Sequence, residues 1–149
     1  MKNIIFLIKI LICYFFIVLT VFAAKADYFN KGKELFDKNE FEQSKILFER
    51  DIVFNPKNEK SYLYLAKIFN KDKNDEEEEM NLRSVLLLNP KNDEAIYMLT
   101  LLKIRQSDYD GAKKLIEKFK LVCASFCLKS GEIQEKFDKL VPKDARDNN

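Results

Sequence analysis

Cys123 and Cys127, four places apart, are the pair of side chains in this sequence with the clearest chemistry open to them. In an oxidising compartment two neighbouring thiols bridge, and in a reducing one they remain packing thiols. On one regular helix their Cβ atoms would stand too far apart for unstrained S–S geometry, so a bridge requires the chain to turn between them. The expectation is a structural disulfide closing a loop of about five residues, worth on the order of 2 kcal/mol. A thiol–disulfide redox centre is the alternative, disfavoured because Cys-x3-Cys is not the Cys-x-x-Cys spacing of such sites. Two sulfurs do not close a zinc shell, and the chain has no histidine to complete one. The lack of histidine also removes the Ser-His and Cys-His nucleophile arrangements and the usual general base near neutral pH. The other constellation is the acidic run Asp75-Glu76-Glu77-Glu78-Glu79. A hard cation needs oxygens converging from several directions, so the run reads instead as the solvated start of a helix, on the positive end of its dipole. No paired acid and base converge. No catalytic residue, metal or cofactor is expected, and the protein is not expected to be an enzyme.

The elements that must position these residues fit one compact domain, since the chain has 149 residues. With 47% hydrophobic and 34% charged residues, but only three Gly and three Pro, it is globular and permits helices. Lys2, Lys9 and Lys25 precede Asp27 and no acid does, so the 26 bases of the whole chain become 23 beyond that point, against 24 acids. That net charge of −1 lacks the basic surplus a nucleic-acid-binding face requires, and no nucleic-acid partner is expected.

Residues 1–26 have the layout of a signal peptide. Lys2 and Lys9 lead, Ile10 to Leu19 is unbroken apolar sequence that continues to Ala24, and Ala24-Lys25-Ala26 offers small residues at the first and third positions before a cut. The mature protein would begin at Asp27 and be periplasmic or secreted. The alternative is an uncleaved N-terminal anchor in the inner membrane, because Ile4 to Ala24 is about 21 residues at ~1.5 Å each, nearly a bilayer core. A membrane contact is expected only in that case. Ile12 stands before Cys13 where a lipoprotein signal requires a small residue, so lipid attachment is not expected.

The most specific signal is a self-match: Asn55-Pro56-Lys57-Asn58-Glu59 returns as Asn89-Pro90-Lys91-Asn92-Asp93, displaced by 34 positions. A fixed period of that length indicates stacked helical repeats. The same shift aligns Gly32 with Ala66 and Thr100, and Phe48 with Leu82 and Ile116. Phe41, Ile46, Leu47, Phe48 and Ile52 form one apolar helix face. Asn74 can cap a helix with Glu77 reaching back as its capping-box partner. The proline of each Asn-Pro pair stops the helix before it. Ser130 can cap a last helix bearing Ile133, Phe137 and Leu140 on one side, which solubility requires at the open end of a stack. Pro142 to Asn149 is polar and expected to be disordered.

These columns resemble the tetratricopeptide repeat, most clearly in Tyr62-Leu63-Tyr64-Leu65-Ala66 and in Ser107-Asp108-Tyr109-Asp110-Gly111-Ala112. The sequence departs from that pattern where Glu78 and Asp51 replace small residues and where Ala124 replaces the third closing proline. The resemblance implies an all-α solenoid: three helix-turn-helix repeats at about 25–58, 59–92 and 93–126 within 27–126, then a capping helix over 127–141. It also implies a concave groove lined by first-helix side chains. Carried over by column, these are Phe29, Lys33 and Phe36; Lys60, Leu63, Lys67 and Asn70; and Glu94, Tyr97, Leu101 and Ile104. Phe29 and Lys33 occupy the positions where chaperone-binding members carry a carboxylate clamp, so chaperone-tail binding is not expected. An apolar surface rimmed by lysines points to a protein or peptide ligand with apolar anchors and acidic residues. The expected role is an interaction adaptor or assembly factor in the bacterial envelope.

Overall fold

A computed structural model describes residues 27–140, so the expected signal peptide and the expected disordered tail lie outside the described residues. The element order is α1 (Tyr28–Asp37), α2 (Phe41–Phe54), α3 (Glu59–Lys71), α4 (Asp75–Leu88), α5 (Asp93–Arg105), α6 (Tyr109–Val122), a 3₁₀ turn (Cys127–Lys129) and α7 (Ser130–Leu140). No strand occurs among the described residues. Consecutive helices pack as antiparallel pairs, α1 on α2, α3 on α4 and α5 on α6, and each pair stacks on the next. The molecule is an all-α solenoid.

The turn within each pair follows one rule. Asn39, Lys73 and Ser107, spaced by 34, have φ of 63°, 56° and 61°. Each left-handed residue ends a helix by the same 6→1 bond: Glu40 N–H donates to Leu35 O, Asn74 N–H to Phe69 O and Asp108 N–H to Lys103 O, at 2.9, 3.0 and 2.9 Å. The donor residue then opens the next helix. The Asn74 side chain accepts from Glu77 N–H at 3.3 Å and that of Asp108 accepts from Gly111 N–H at 3.0 Å. The expected capping box at Glu77 is therefore only half formed, because Phe69 O already holds the Asn74 N–H. Likewise Ser130 begins α7 as its first residue instead of capping it, since the 3₁₀ turn leads directly into the helix.

The core is three clusters in series. Phe48, Leu65 and Ile68 join the first pair to α3; Leu63, Ala66, Leu82, Val85, Ala95, Leu99 and Leu102 join the second pair to α5; Ile96, Ile104, Ala112, Ile116 and Phe119 join the third pair to Ile133 and Phe137 of α7. The aligned columns behave alike. Gly32, Ala66 and Thr100 are all buried, and at Gly32 an added Cβ would lie 2.9 Å from the Phe48 ring. Two residues expected on apolar faces are elsewhere: Ile46 is 47% exposed and Leu140 is 62% exposed.

Where the sequence departs from the repeat pattern, buried polar groups are satisfied. Asp51 is buried and accepts from the Asn55 and Asn58 amides at 2.8 and 2.6 Å and from the Ser61 hydroxyl at 2.5 Å, which ties α2, the following turn and α3 together. Glu78, fully buried, accepts from Asn70 Nδ2 at 2.9 Å and from Arg105 at 2.7 Å. Among the described residues no buried side-chain nitrogen or oxygen lacks a partner.

Candidate functional site

The first-helix column of the second and third repeats opens on a concave groove of about 620 Å³. Lys67 and Asn70 of α3 form one wall, Tyr97, Met98, Leu101 and Ile104 of α5 the floor, and Lys136 and Leu140 of α7 the other wall. Residues at i, i+3 and i+4 share a helix face, which is why 97, 98, 101 and 104 present one apolar strip. The lining side chains carry three cations, Lys67, Arg105 and Lys136, and one carboxylate, Glu94.

Each cation also has an acidic partner within the domain. Lys67 pairs with Glu94 at 2.8 Å, and its ammonium stands 4.9 Å from the Tyr64 ring centroid. Arg105 pairs with Asp75 and Glu78 at 2.8 and 2.7 Å. Lys136 pairs with Glu132 at 3.0 Å. Hydrogen bonds from Lys129, Lys136 and Tyr97 hold the Glu132 carboxyl down at about 2. Burial pushes the Tyr97 hydroxyl up to about 12, aided by its 2.9 Å bond to Glu132. That bond, with the Tyr97–Phe126 ring contact at 5.8 Å, fixes α7 as a wall of the groove.

Of the side chains expected to line the groove, the structure brings together Lys67, Tyr97 and Leu101, with Asn70, Glu94 and Ile104. The others are placed differently. Leu63 is only 7% exposed, because α5 lies across it and makes it core. Phe29 and Phe36 turn onto the face of the first pair, with Tyr64 rings 5.8 and 5.0 Å away, and belong to an aromatic cluster. Lys33 is exposed and paired with Asp37 at 2.7 Å, and Lys60 is exposed outside the groove. Met98, Arg105, Lys136 and Leu140 also line the groove, and a column rule for the repeats does not find them, since it says nothing of the capping helix or of the adjoining helix positions.

The acidic run does start α4 behind the Asn74 cap, with Glu76 open to solvent, but three of its carboxylates are engaged within the domain. Asp75 and Glu78 hold Arg105, while Glu79 accepts from Arg83 Nε at 2.9 Å, Lys103 at 2.8 Å and Gln106 at 3.1 Å. Burial alone would raise the Glu79 carboxyl; bonds from Lys103, Arg83 and Gln106 outweigh it and hold it at about 2. Burial dominates at Glu78 and pushes its carboxyl up in spite of Asn70 and Arg105. No group of His, Cys, Asp and Glu suited to a metal ion occurs among the described residues.

Cys123 and Cys127 are bonded, with Cα atoms 5.1 Å apart, where α6 ends and the chain turns. Inside that five-residue ring the N–H groups of Ala124, Ser125 and Phe126 all donate to Asp93 Oδ2, at 2.7, 2.6 and 2.9 Å. Burial opposes ionisation of Asp93, but these backbone bonds leave its carboxyl below the usual range. The arrangement is structural, clamping the turn after α6 to the start of α5.

Two solved structures share this architecture. The TPR2B domain of yeast Sti1, solved in complex with pHsp70, superposes with a TM-score of 0.70 at 16% identity, covering 76% of this chain and 94% of that one. The fold is that of a tetratricopeptide domain. The tetratricopeptide domain of Sgt2 from Aspergillus fumigatus gives 0.63 at 17% identity, covering 75% of this chain and 78% of that one. No family model and no curated protein matches the sequence. At such identities the tetratricopeptide likeness is one of fold, and the groove side chains are this chain's own.

Proposed function

We propose that the protein is an exported, non-catalytic adaptor or assembly factor of the cell envelope that holds a segment of a partner protein in the groove between α3, α5 and α7. The observation that carries this reading is the groove lining: an apolar floor of Met98, Leu101 and Ile104 beneath three cations and one carboxylate. A ligand with one or two apolar anchors and a flanking acidic side chain matches it. The Sti1 domain, whose fold is similar, holds a protein ligand, which supports a protein or peptide partner here. Phe29 packs on Phe48 and Lys33 is engaged by Asp37, so no clamp for a chaperone tail is proposed.

The test is recovery of a co-purifying partner with the wild-type chain and with the double variant Leu101→Ala/Lys136→Glu. Loss of a true anchor costs about 2 kcal/mol or more of binding, whereas a surface change moves stability by ~0.5 kcal/mol. The variant should keep its melting temperature within a few degrees and lose the partner. Retention of the partner by a folded variant refutes the groove assignment. For export, amino-terminal sequencing should find Asp27 first; Met1 on membrane-bound protein establishes the anchored form instead.

A further inference from the structure

The second apolar surface has the period of the fold. Val53, Leu87 and Leu121 stand 34 residues apart, each next to last in α2, α4 and α6, and they are 73%, 84% and 85% exposed. A core position would be covered and an indifferent surface position would be polar; here a large apolar side chain is left open once per helix pair along the stack. Phe54, beside Val53, is 68% exposed, and Leu128, in the 3₁₀ turn that follows α6, is 97% exposed.

The turns after α2, α4 and α6 lie side by side on this edge. Asn89 Nδ2 donates to Glu59 Oε1 at 3.0 Å, linking the second turn to the start of α3, and Asp93 holds the third turn. Of the exposed charges at these turns, Lys57 and Lys91, also 34 apart, form no ion pair among the described residues, while Lys129 after α6 pairs with Glu132 at 2.7 Å. Asp27, Glu59 and Asp93, the acids at the helix starts on this edge, are each occupied as acceptors. Glu49, Arg83 and Glu117 stand one turn further from the edge. The first described residues join the domain on this same edge, where the Tyr28 ring stacks on Phe54 with centroids 5.5 Å apart. Residues 1–26, apolar from Ile10 to Leu19, therefore connect beside the row.

We infer that this edge rests on a phospholipid bilayer bearing anionic headgroups, with the row of Val53, Leu87 and Leu121 dipping into the interface and Lys57 and Lys91 at the headgroups. Apolar side chains flanked by lysines suit that interface, where burial reaches about 5–10 Å and each nearby cation adds attraction. In the anchored form the 26 residues with their long apolar run, attached at the edge, supply the proximity; once the chain is cut before Asp27, Lys57 and Lys91 alone supply the attraction. The helices then stand upright on the surface. The inference stands apart from the groove reading, because the row lies on α2, α4 and α6 and the groove on α3, α5 and α7.

The chain contains no tryptophan, so a single introduced indole reports depth without background. The full chain carrying Leu87→Trp, Leu121→Trp or Met80→Trp is reconstituted in vesicles of phosphatidylcholine and phosphatidylglycerol with or without acyl-chain bromine. Met80 is 54% exposed and lies seven residues before Leu87 on the same helix, about 10 Å further from the edge at 1.5 Å per residue. Bromine should quench the indoles at 87 and 121 by about twofold or more and spare the one at 80, in keeping with shallow interfacial burial. Lys57→Glu/Lys91→Glu should weaken the quenching. Equal quenching at all three positions, or none, overturns the inference. So do unquenched indoles at 87 and 121 with blue-shifted emission, which would report a protein cover such as a second copy.

Discussion

Glu78 occupies a column where Ser44 and Ala112 stand in the other repeats, and all three are fully buried. A carboxylate is retained at such a site only with partners, and Arg105 and Asn70 supply them from the two neighbouring first helices. Removing the cation strands the charge. Arg105→Ala should cost about 2–3 kcal/mol, less than a wholly buried pair because Arg105 is partly exposed, and adding Glu78→Ala should return most of it. Urea melts of the two single variants and the double variant measure that coupling. Glu79 gives a pH signature. Its carboxyl lies at about 2 in the fold and at 4.5 unperturbed, so its contribution is present above pH 4.5 and is lost as pH falls towards 2. Glu132, also held at about 2, acts in the same window. Glu79→Gln should flatten the decline of melting temperature between pH 4.5 and pH 2 without abolishing it. Only the Arg83–Glu79 pair, four residues apart on one helix, was legible from the run itself; Arg105 is 27 residues from Glu78 and Lys103 is 24 from Glu79, and the stacking of α5 on α4 brings them together.

The helices show why the period was readable. A turn needing one left-handed residue recurs at 39, 73 and 107, and a chain with three glycines fills it with Asn, Lys and Ser. Lysine and serine are strained there, while asparagine tolerates the conformation. Lys73→Gly and Ser107→Gly should each raise stability by ~0.5–1 kcal/mol, and Asn39→Gly by less, in denaturant titrations. The opposite outcome at 73 would mean that the Lys73 side chain contributes more than its backbone strain costs. The columns 32/66/100 and 48/82/116 were legible because burial of a repeated small or large side chain is what stacking requires. The groove was legible only where the columns hold. Leu63 and Tyr97 share a column, yet α5 covers the first and α7 leaves the second half open, and no column rule distinguishes them. Phe29 and Phe36 left the groove because their rings pack edge-on against Tyr64, where apolar burial is greater than on an open face.

At the scale of the molecule, the fold class and the helix order follow from the period, whereas the ligand-facing charges depend on the capping helix. Lys136 and Leu140 close the groove from outside the repeats. Deleting α7 would open both the groove and the last core cluster, so Tyr97→Phe is the more informative probe. It removes one hydrogen bond, costs about 1 kcal/mol, and should loosen α7 in hydrogen exchange while leaving α1–α4 unchanged.

The serial arrangement of the three core clusters also governs how the molecule comes apart. Each cluster joins a helix pair only to the next helix along the stack, so no single core holds both ends. Melting is then a matter of neighbours, spreading like an opened zip and not as one collapse. Among the described residues the first pair is flanked by a repeat on one side only, and Gly32 is the only buried residue of α1. Amides of α1 and α2 should exchange with solvent fastest, while those of α4, α5 and α6 resist longest. The groove sits at the slow end, so a chain frayed at α1 can still hold its ligand.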